Sequence, residues 1–426
     1  MANSMTEERS RLLQLAAVMF LWQAFVGIYF LSLVQQYLPQ QLHAGLAYSG
    51  YAMATYGIAK FLVQAPAGWI SDRVGRRITM LFGVAISVPA LWLMMEVPNE
   101  KAFLAFSAIL GIGAATMWPA FMAHVGETMP ARGRNRTMTL LNVAHMSGVG
   151  LGTFMGVLLV DYVTYGSVFW LCIAFNAVAL VMVARGGCYK AGPCAEKQQE
   201  QEHPAHTIAD PSAWKPGMGV LALVVIFLTL GTSLHTAVIG AYTHDFLHVK
   251  MSHMALLFPL PAAAAAYAFW RYTKVADHYK RHVPLMLGLL LAAICFFGLT
   301  ITPNPMVVVT LVVLAGLGCA ISLPAWSAAA LDATDTGSRG AWLGALSAVQ
   351  GVGVAAGQGL GGVIGGVWGP LAPFKIAALM LFVALILIVA HQQTQSRRWR
   401  RLGEYKLEAS PLPALVPAPA HVQIAD

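Results

Sequence analysis

Twelve stretches of this chain are long and apolar enough to cross a bilayer, and no other feature limits its folding as strongly. A hydrocarbon core takes roughly 20 apolar residues per helix. The runs cover residues 12–34, 46–70, 78–97, 102–125, 138–160, 167–184, 218–241, 254–272, 283–301, 306–330, 341–365 and 372–391. Lipid offers no partner to an open backbone, so such runs predict helices that close their hydrogen bonds internally. Charged residues make up 10% of the 426, and hydrophobic ones 58%. An average soluble domain is about 25% charged. The first run is too long for a signal-peptide core of about 7–15 residues and reads as a spanning helix. One long polar stretch, residues 185–217, interrupts the series. It divides the chain into six-helix bundles at 12–184 and 218–391, with tails at 1–11 and 392–426.

Placing the N-terminus in the cytoplasm puts 22 of the 26 Lys and Arg on the cytoplasmic side. Lys101, Lys250 and Lys375 fall outside, and Lys60 lies within a span. The positive-inside rule therefore predicts cytoplasmic termini at both ends, in a multi-pass protein of a bacterial inner membrane. The cluster Arg397 to Arg401 follows the last run, where it would rest on anionic lipid headgroups; its plainer role is a topology anchor. The tail after Glu408 has no core to join and is expected to be disordered. A net charge of +8 does not imply nucleic acid here, because the basic residues form no aromatic-interleaved patch. Cys172, Cys295 and Cys319 lie in apolar runs and build no disulfide framework. Cys188, Cys194, His203 and His206 fit no zinc spacing and read as solvated loop. Neither metal nor cofactor is expected, and a monomer is.

Sliding the chain against itself reveals one ungapped offset of 205 residues. It pairs Tyr37, Leu42 and His43 with Tyr242, Leu247 and His248, and Asp72, Arg76 and Gly83 with Asp277, Arg281 and Gly288. Gly111, Gly113 and Pro119 fall on Gly316, Gly318 and Pro324. Gly148, Gly152 and Gly156 fall on Gly353, Gly357 and Gly361. Six helices is an even number, so both halves enter the membrane the same way round. They are parallel repeats about an axis along the membrane normal, with a central site between them near the midplane. Glycine at every fourth position lets helix backbones approach closely, and two such ladders at matching positions predict matching helix contacts.

Between the second and third runs stands GWISDRVGRR, Gly68 to Arg77. Gly68, Asp72, Arg73, Gly75, Arg76 and Arg77 in this slot closely resemble the loop motif of the major facilitator superfamily. The twelve-helix, two-repeat layout is similar too, over about residues 10 to 392. The resemblance implies an all-α transporter fold in which Asp72 pairs with the motif arginines and the end of helix eleven, latching the inner gate when the cavity faces outward. Glu127 is a further partner in that reading, with Asp332 as its counterpart by the repeat. The second copy of the motif, from Asp277 to Arg281, lacks the glycine, which suggests a weaker latch. Positive-inside anchoring alone is the other reading of these charges. Two departures argue against a drug–proton antiporter. Ser107 stands where proton-coupled members commonly carry an arginine, and helix five has no Gly-Pro pair.

No Asp or Glu falls at mid-span, which disfavours a cationic substrate. Lys60, twelve residues before Asp72 and thus ~18 Å along the helix, falls near the midplane. An ionisable group there costs ~2.5–3.5 kcal/mol on insertion scales and is a functional candidate, as an anion binder or titrating group; the alternative is a hydrogen-bonder between helices. Tyr56, Lys60 and Gln64 form a polar stripe. His145 and His235 are mid-span histidines able to carry a proton or simply join helices, and Gln350 matches His145 by the repeat. Trp22, Gln23, Trp118 and Trp326 lie on helices that line the cavity in the resembled family; they read as an aromatic-and-amide lining or as core. Pro259 and Pro261 interrupt helix eight, as hinge or binding regions do. His248 to Met254, HVKMSHM, could capture a soft metal, on weak spacing.

These readings converge on a secondary active or facilitative transporter of a small organic solute, an anion among the candidates, working by alternating access with protons as a candidate coupling ion. Rivals are proton-coupled efflux of hydrophobic compounds or drugs, a metal or metal-chelate carrier, and a non-transporting sensor on the same fold. No nucleophile–base pair at recognisable spacing points to an enzyme.

Overall fold

The computed structural model describes residues 2–128, 134–185, 218–257, 259, 263–264, 266–268, 282–332 and 339–408. Helix α1 runs from Ala2–Ile28, widens into a π segment at Tyr29–Tyr37 and ends in a last α turn, Leu38–Gln41. There follow α2 (Leu46–Val74), α3 (Arg76–Glu96), α4 (Glu100–Thr128), α5 (Arg134–Tyr162) and α6 (Tyr165–Arg185). The second half holds α7 (Met218–Leu234), α8 (Met251–Leu257), α9 (His282–Gly298), α10 (Pro305–Asp332), α11 (Arg339–Trp368) and α12 (Ala372–Glu408). Past Leu234, α7 breaks into a 3-10 turn at His235–Ala237, a short helix at Ile239–Ala241 and a π turn at Tyr242–Phe246.

The described residues of the predicted runs are almost all helical, and no strand occurs among the described residues. Eight of the helices are long and apolar enough to span a membrane by length and composition. Helices α2 and α11 are not among these eight; they are rich in glycine, and glycines occupy the faces they turn to each other, as shown below. The first span is longer than its apolar run, reaching Gln41. Gln35 and Gln36 stay inside it because both side chains find partners in the other half.

The 205-residue repeat reappears as geometry. Helix α1 packs on α5 and α6, and α3 on α4 and α6; in the second half α7 packs on α11 and α12, and α9 on α10 and α12. The side chain of Asn99 accepts the Lys101 N–H at 2.9 Å to cap α4, and Asn304 accepts the Met306 N–H at 3.0 Å to cap α10. His43 and His248 are the two non-glycine residues at positive φ among those described, at 50° and 53°. A Cβ on Gly83 would lie 2.6 Å from the Gly113 carbonyl oxygen, and one on Gly288 2.5 Å from that of Gly318. So α3–α4 and α9–α10 cross at matching glycine pairs.

The glycine ladders seat each half's fifth helix on its first. Cβ atoms on Gly148, Gly152 and Gly156 would run into Phe20, Ala24 and Ile28 of α1. Those on Gly353, Gly357 and Gly361 would meet Thr229, Leu230 and Leu234 of α7. Two hydrophobic cores result. One gathers Met19, Phe25, Leu33, Met94, Phe121 and Phe169; the other Val224, Leu228, Leu289, Phe296, Leu381 and Ile388.

The halves meet chiefly where α2 lies against α11. Gly50 faces Gly362, where a Cβ would come within 2.8 Å of the partner Cα; Ala54 faces Gly359, and Gly57 faces Ala355. Phe61 beside Gly351 continues the contact toward the α2–α3 turn. Beyond it Trp69, Ile70 and Val74 are about half exposed, and a Cβ on Gly68 would meet nothing within 4 Å. The described contacts between the halves therefore lie along the α2–α11 seam and at the end opposite the GWISDRVGRR turn, here termed the far end.

Candidate functional site

At the motif end, the turn is made by Gly75, whose φ of 104° only glycine adopts without strain. Its carbonyl accepts the Thr79 hydroxyl at 3.1 Å, and its N–H donates to Ser71 O at 3.1 Å. The three arginines have separate partners. Arg73 lies 3.7 Å over the Trp69 ring, Arg76 pairs with Asp72, and Arg77 donates to the Val183 carbonyl at 3.1 Å and to that of Ala184. Arg77 thus caps the end of α6, tying the turn to the helix that leads into the linker. The Asp72 side chain is 57% exposed, so in this state its ion pair is a solvated one. Glu127 and Asp332 sit on described helices, but their side chains, and all of Asp277 and Arg281, lie outside the described residues. So does Pro261, whereas Pro259 is helical and exposed.

Mid-bundle, four helices bring one side chain each to a common place. From α1, Gln23 Nε2 donates to His145 Nδ1 of α5 at 2.6 Å, which leaves the neutral ring's own proton on Nε2. Trp118 of α4 meets that imidazole edge-on, with centroids 5.0 Å apart. Lys60 of α2 lies close enough for its charge to act on the ring, and among the described residues it has no hydrogen bond or ion pair. Tyr56, one turn away, is buried against Tyr29 and Phe30 at 5.9 and 5.0 Å. Gln64 and Gln350 are partly exposed on α2 and α11.

The remaining candidates lie elsewhere. Trp22 is 4% exposed and packs edge-on against Phe25 in the first core. Trp326 is buried in the second core, donating from Nε1 to the Leu221 carbonyl at 3.3 Å. His235 sits in the broken part of α7 between Phe296 and Phe374, with its Nδ1 buried and unpartnered among the described residues. It belongs to the second half's packing. Ser107 is fully buried; Tyr29 donates to its hydroxyl at 2.7 Å, and that hydroxyl donates to Phe103 O at 2.7 Å. No group of three or more His, Cys, Asp or Glu side chains placed to hold a metal occurs among the described residues.

Sequence reasoning missed the far-end contacts. Gln35 reaches Thr236 and Gly240, Gln36 donates to Met251 Sδ at 3.4 Å, and Ser252 donates to the Asp161 carboxylate. The available signal was that Gln35 and Gly240 are themselves 205 apart. Symmetry mates touch where the pseudo-twofold axis passes between them.

The family model described as the Major Facilitator Superfamily matches residues 15–314 and 221–417. The chain belongs to the Major Facilitator Superfamily. It is accordingly a membrane transporter and not an enzyme. Within this superfamily, it is 23% identical over 362 residues to the proton-coupled antiporter flippase LtaA of Staphylococcus haemolyticus, covering 82% of this chain and 85% of that one. A multidrug transporter, MdtP of Bacillus subtilis, is 24% identical over 151 residues, 35% of this chain and 28% of that protein. Among solved structures, the nucleoside transporter NupG superposes with a TM-score of 0.71 at 14% identity, covering 90% of this chain and 98% of that one. The human organic anion transporter MFSD10 gives 0.58 at 17%, covering 89% and 99%. At these identities the structures show a shared fold.

Proposed function

We propose that the chain carries a small organic solute, with an organic anion as the favoured class, across a bacterial inner membrane by alternating access. The motif end is cytoplasmic in this reading, and the far-end contacts between the halves favour an inward-facing state. One observation carries the substrate class: Lys60, within electrostatic reach of the His145 that Gln23 and Trp118 hold, has no counter-charge among the described residues. An unpaired ammonium at that depth is costly, and an anionic substrate relieves the cost when bound. Trp118 offers a flat apolar face for an organic body, and the Gln23 amide and imidazole offer polar contacts.

The relatives named as proton-coupled antiporters make a proton the favoured coupling ion. A proton on His145 and the charge on Lys60 repel each other. An anion seated on Lys60 removes that repulsion and lets His145 take a proton, which favours movement of anion and proton together. Asp72 and the motif arginines then form the inner latch of the outward-facing state.

A panel of organic acids, bases and neutral solutes screened for thermal stabilisation of the purified protein identifies ligands, since binding to the folded state raises apparent stability. Acids should stabilise the wild type, while Lys60→Ala should lose both that stabilisation and transport at normal protein levels. Unchanged transport kinetics in Lys60→Ala would exclude the lysine from the site.

A further inference from the structure

At the far end, Gln35 occupies a position where a piece of helix is missing. In a regular α-helix the N–H of Gly240 would donate to the carbonyl of Thr236, four residues earlier. Here α7 is broken between them: Val238 has φ −118° and ψ 3°, and the flanking turn is 3-10. Both groups are instead taken up by one side chain from the other half. Gln35 Nε2 donates to the Thr236 carbonyl at 2.5 Å, and its Oε1 accepts the Gly240 N–H at 3.2 Å. A primary amide carries the donor and acceptor of a peptide group, so Gln35 serves as a peptide unit inserted across the gap. Its side chain is buried, with residue exposure of 3%. The approach requires glycine at 240, because a Cβ there would lie 2.7 Å from the Gln35 carbonyl oxygen. The repeat supplies no reciprocal clasp, since the counterpart of Gln35 is Gly240 itself.

We propose that Gln35 is a positioning residue that couples far-end closure to the break in α7. While the halves are closed, the amide holds α7 open at Thr236 and Gly240. When they part, that carbonyl and N–H lose the amide together and can satisfy each other only by closing the helical turn. Far-end opening and straightening of α7 are then one event, and two discrete arrangements of the same backbone pair give the gate two states. Closure on the opposite flank has another chemistry: α2 and α11 meet through Gly50, Gly57, Gly359 and Gly362, with no hydrogen bond between them among the described residues. The clasp lies at the α1–α7 contact, and the glycine seam is left as the pivot.

Spin labels at Gln41→Cys and Lys250→Cys, in the full chain with its five native cysteines replaced by Ala and reconstituted in lipid, report the far-end distance. Gln35→Met keeps the length and packing of the side chain but loses both hydrogen bonds. Loss of bonds worth about 1 kcal/mol each should raise the ratio of open to closed molecules by about tenfold or more. Gly240→Ala should shift it the same way from the other side of the contact. A closed distribution unchanged in Gln35→Met and in Gly240→Ala overturns the proposal. Opening in Gln35→Ala alone, with Gln35→Met closed, overturns it too, because packing would then be the cause. The measurement needs no substrate, so its outcome is independent of the Lys60 reading.

Discussion

Replacing Gly152 by Ala places a methyl group where the backbone of α1 already runs. The new Cβ would lie 2.5 Å from the Ala24 Cα and 2.6 Å from its carbonyl carbon. Both are main-chain atoms, so no side-chain rotation relieves the contact and α1 and α5 must separate. Overpacking of this kind costs about 1–3 kcal/mol, and here it takes the upper part of that range because two helices move as bodies. Exchanging Gly for Ala in a helix contributes about 1 kcal/mol in the opposite direction. The net expectation for Gly152→Ala is a loss of about 1–2 kcal/mol. Gly150, two residues away in the same helix, has nothing within 4 Å of its added Cβ. Gly150→Ala therefore keeps the propensity gain and is neutral or stabilising. The pair is compared by equilibrium unfolding in mixed micelles, following circular dichroism against denaturant, with wild type alongside. The repeat supplies a replicate: Gly357→Ala would meet the Leu230 carbonyl oxygen at 2.6 Å, while Gly316→Ala meets nothing within 4 Å. Equal midpoints for Gly150→Ala and Gly152→Ala would refute the reasoning, because helix propensity alone would then account for both.

Two further outcomes follow from the motif end. Arg77→Ala removes the charged donor that caps α6 at Val183 and Ala184 and should destabilise the protein by about 1–2 kcal/mol; Arg77→Lys should recover only part of this, since a lysine lacks the planar fork, and the unfolding midpoint reads both. Asp72→Asn should leave that midpoint nearly unchanged, because the carboxylate is more than half exposed here, yet slow transport by weakening the outward-facing latch; unaltered transport would exclude the latch role.

Hydropathy and one integer offset already determined the all-helical fold, the repeat and the glycine ladders. Lipid leaves backbone only the helical solution, and close helix contact requires glycine wherever it recurs, so both constraints are local and written in residue type. The Gly83–Gly113 and Gly288–Gly318 crossings and the ladder contacts on α1 and α7 follow from the same rule. Depth and residue chemistry also marked Lys60, His145, Gln23 and Trp118 as candidates, but not that they meet, since they sit on four helices whose rotation is set by packing. Only tertiary structure separated Trp22, Trp326 and His235, which fill cores, from residues of the same types near Lys60. Only tertiary structure revealed Gln35, because a glutamine's partner there is a backbone break in a helix 205 residues further along. A broken helix leaves no mark in hydropathy, and its unsatisfied carbonyl and N–H have no residue type of their own to be read from.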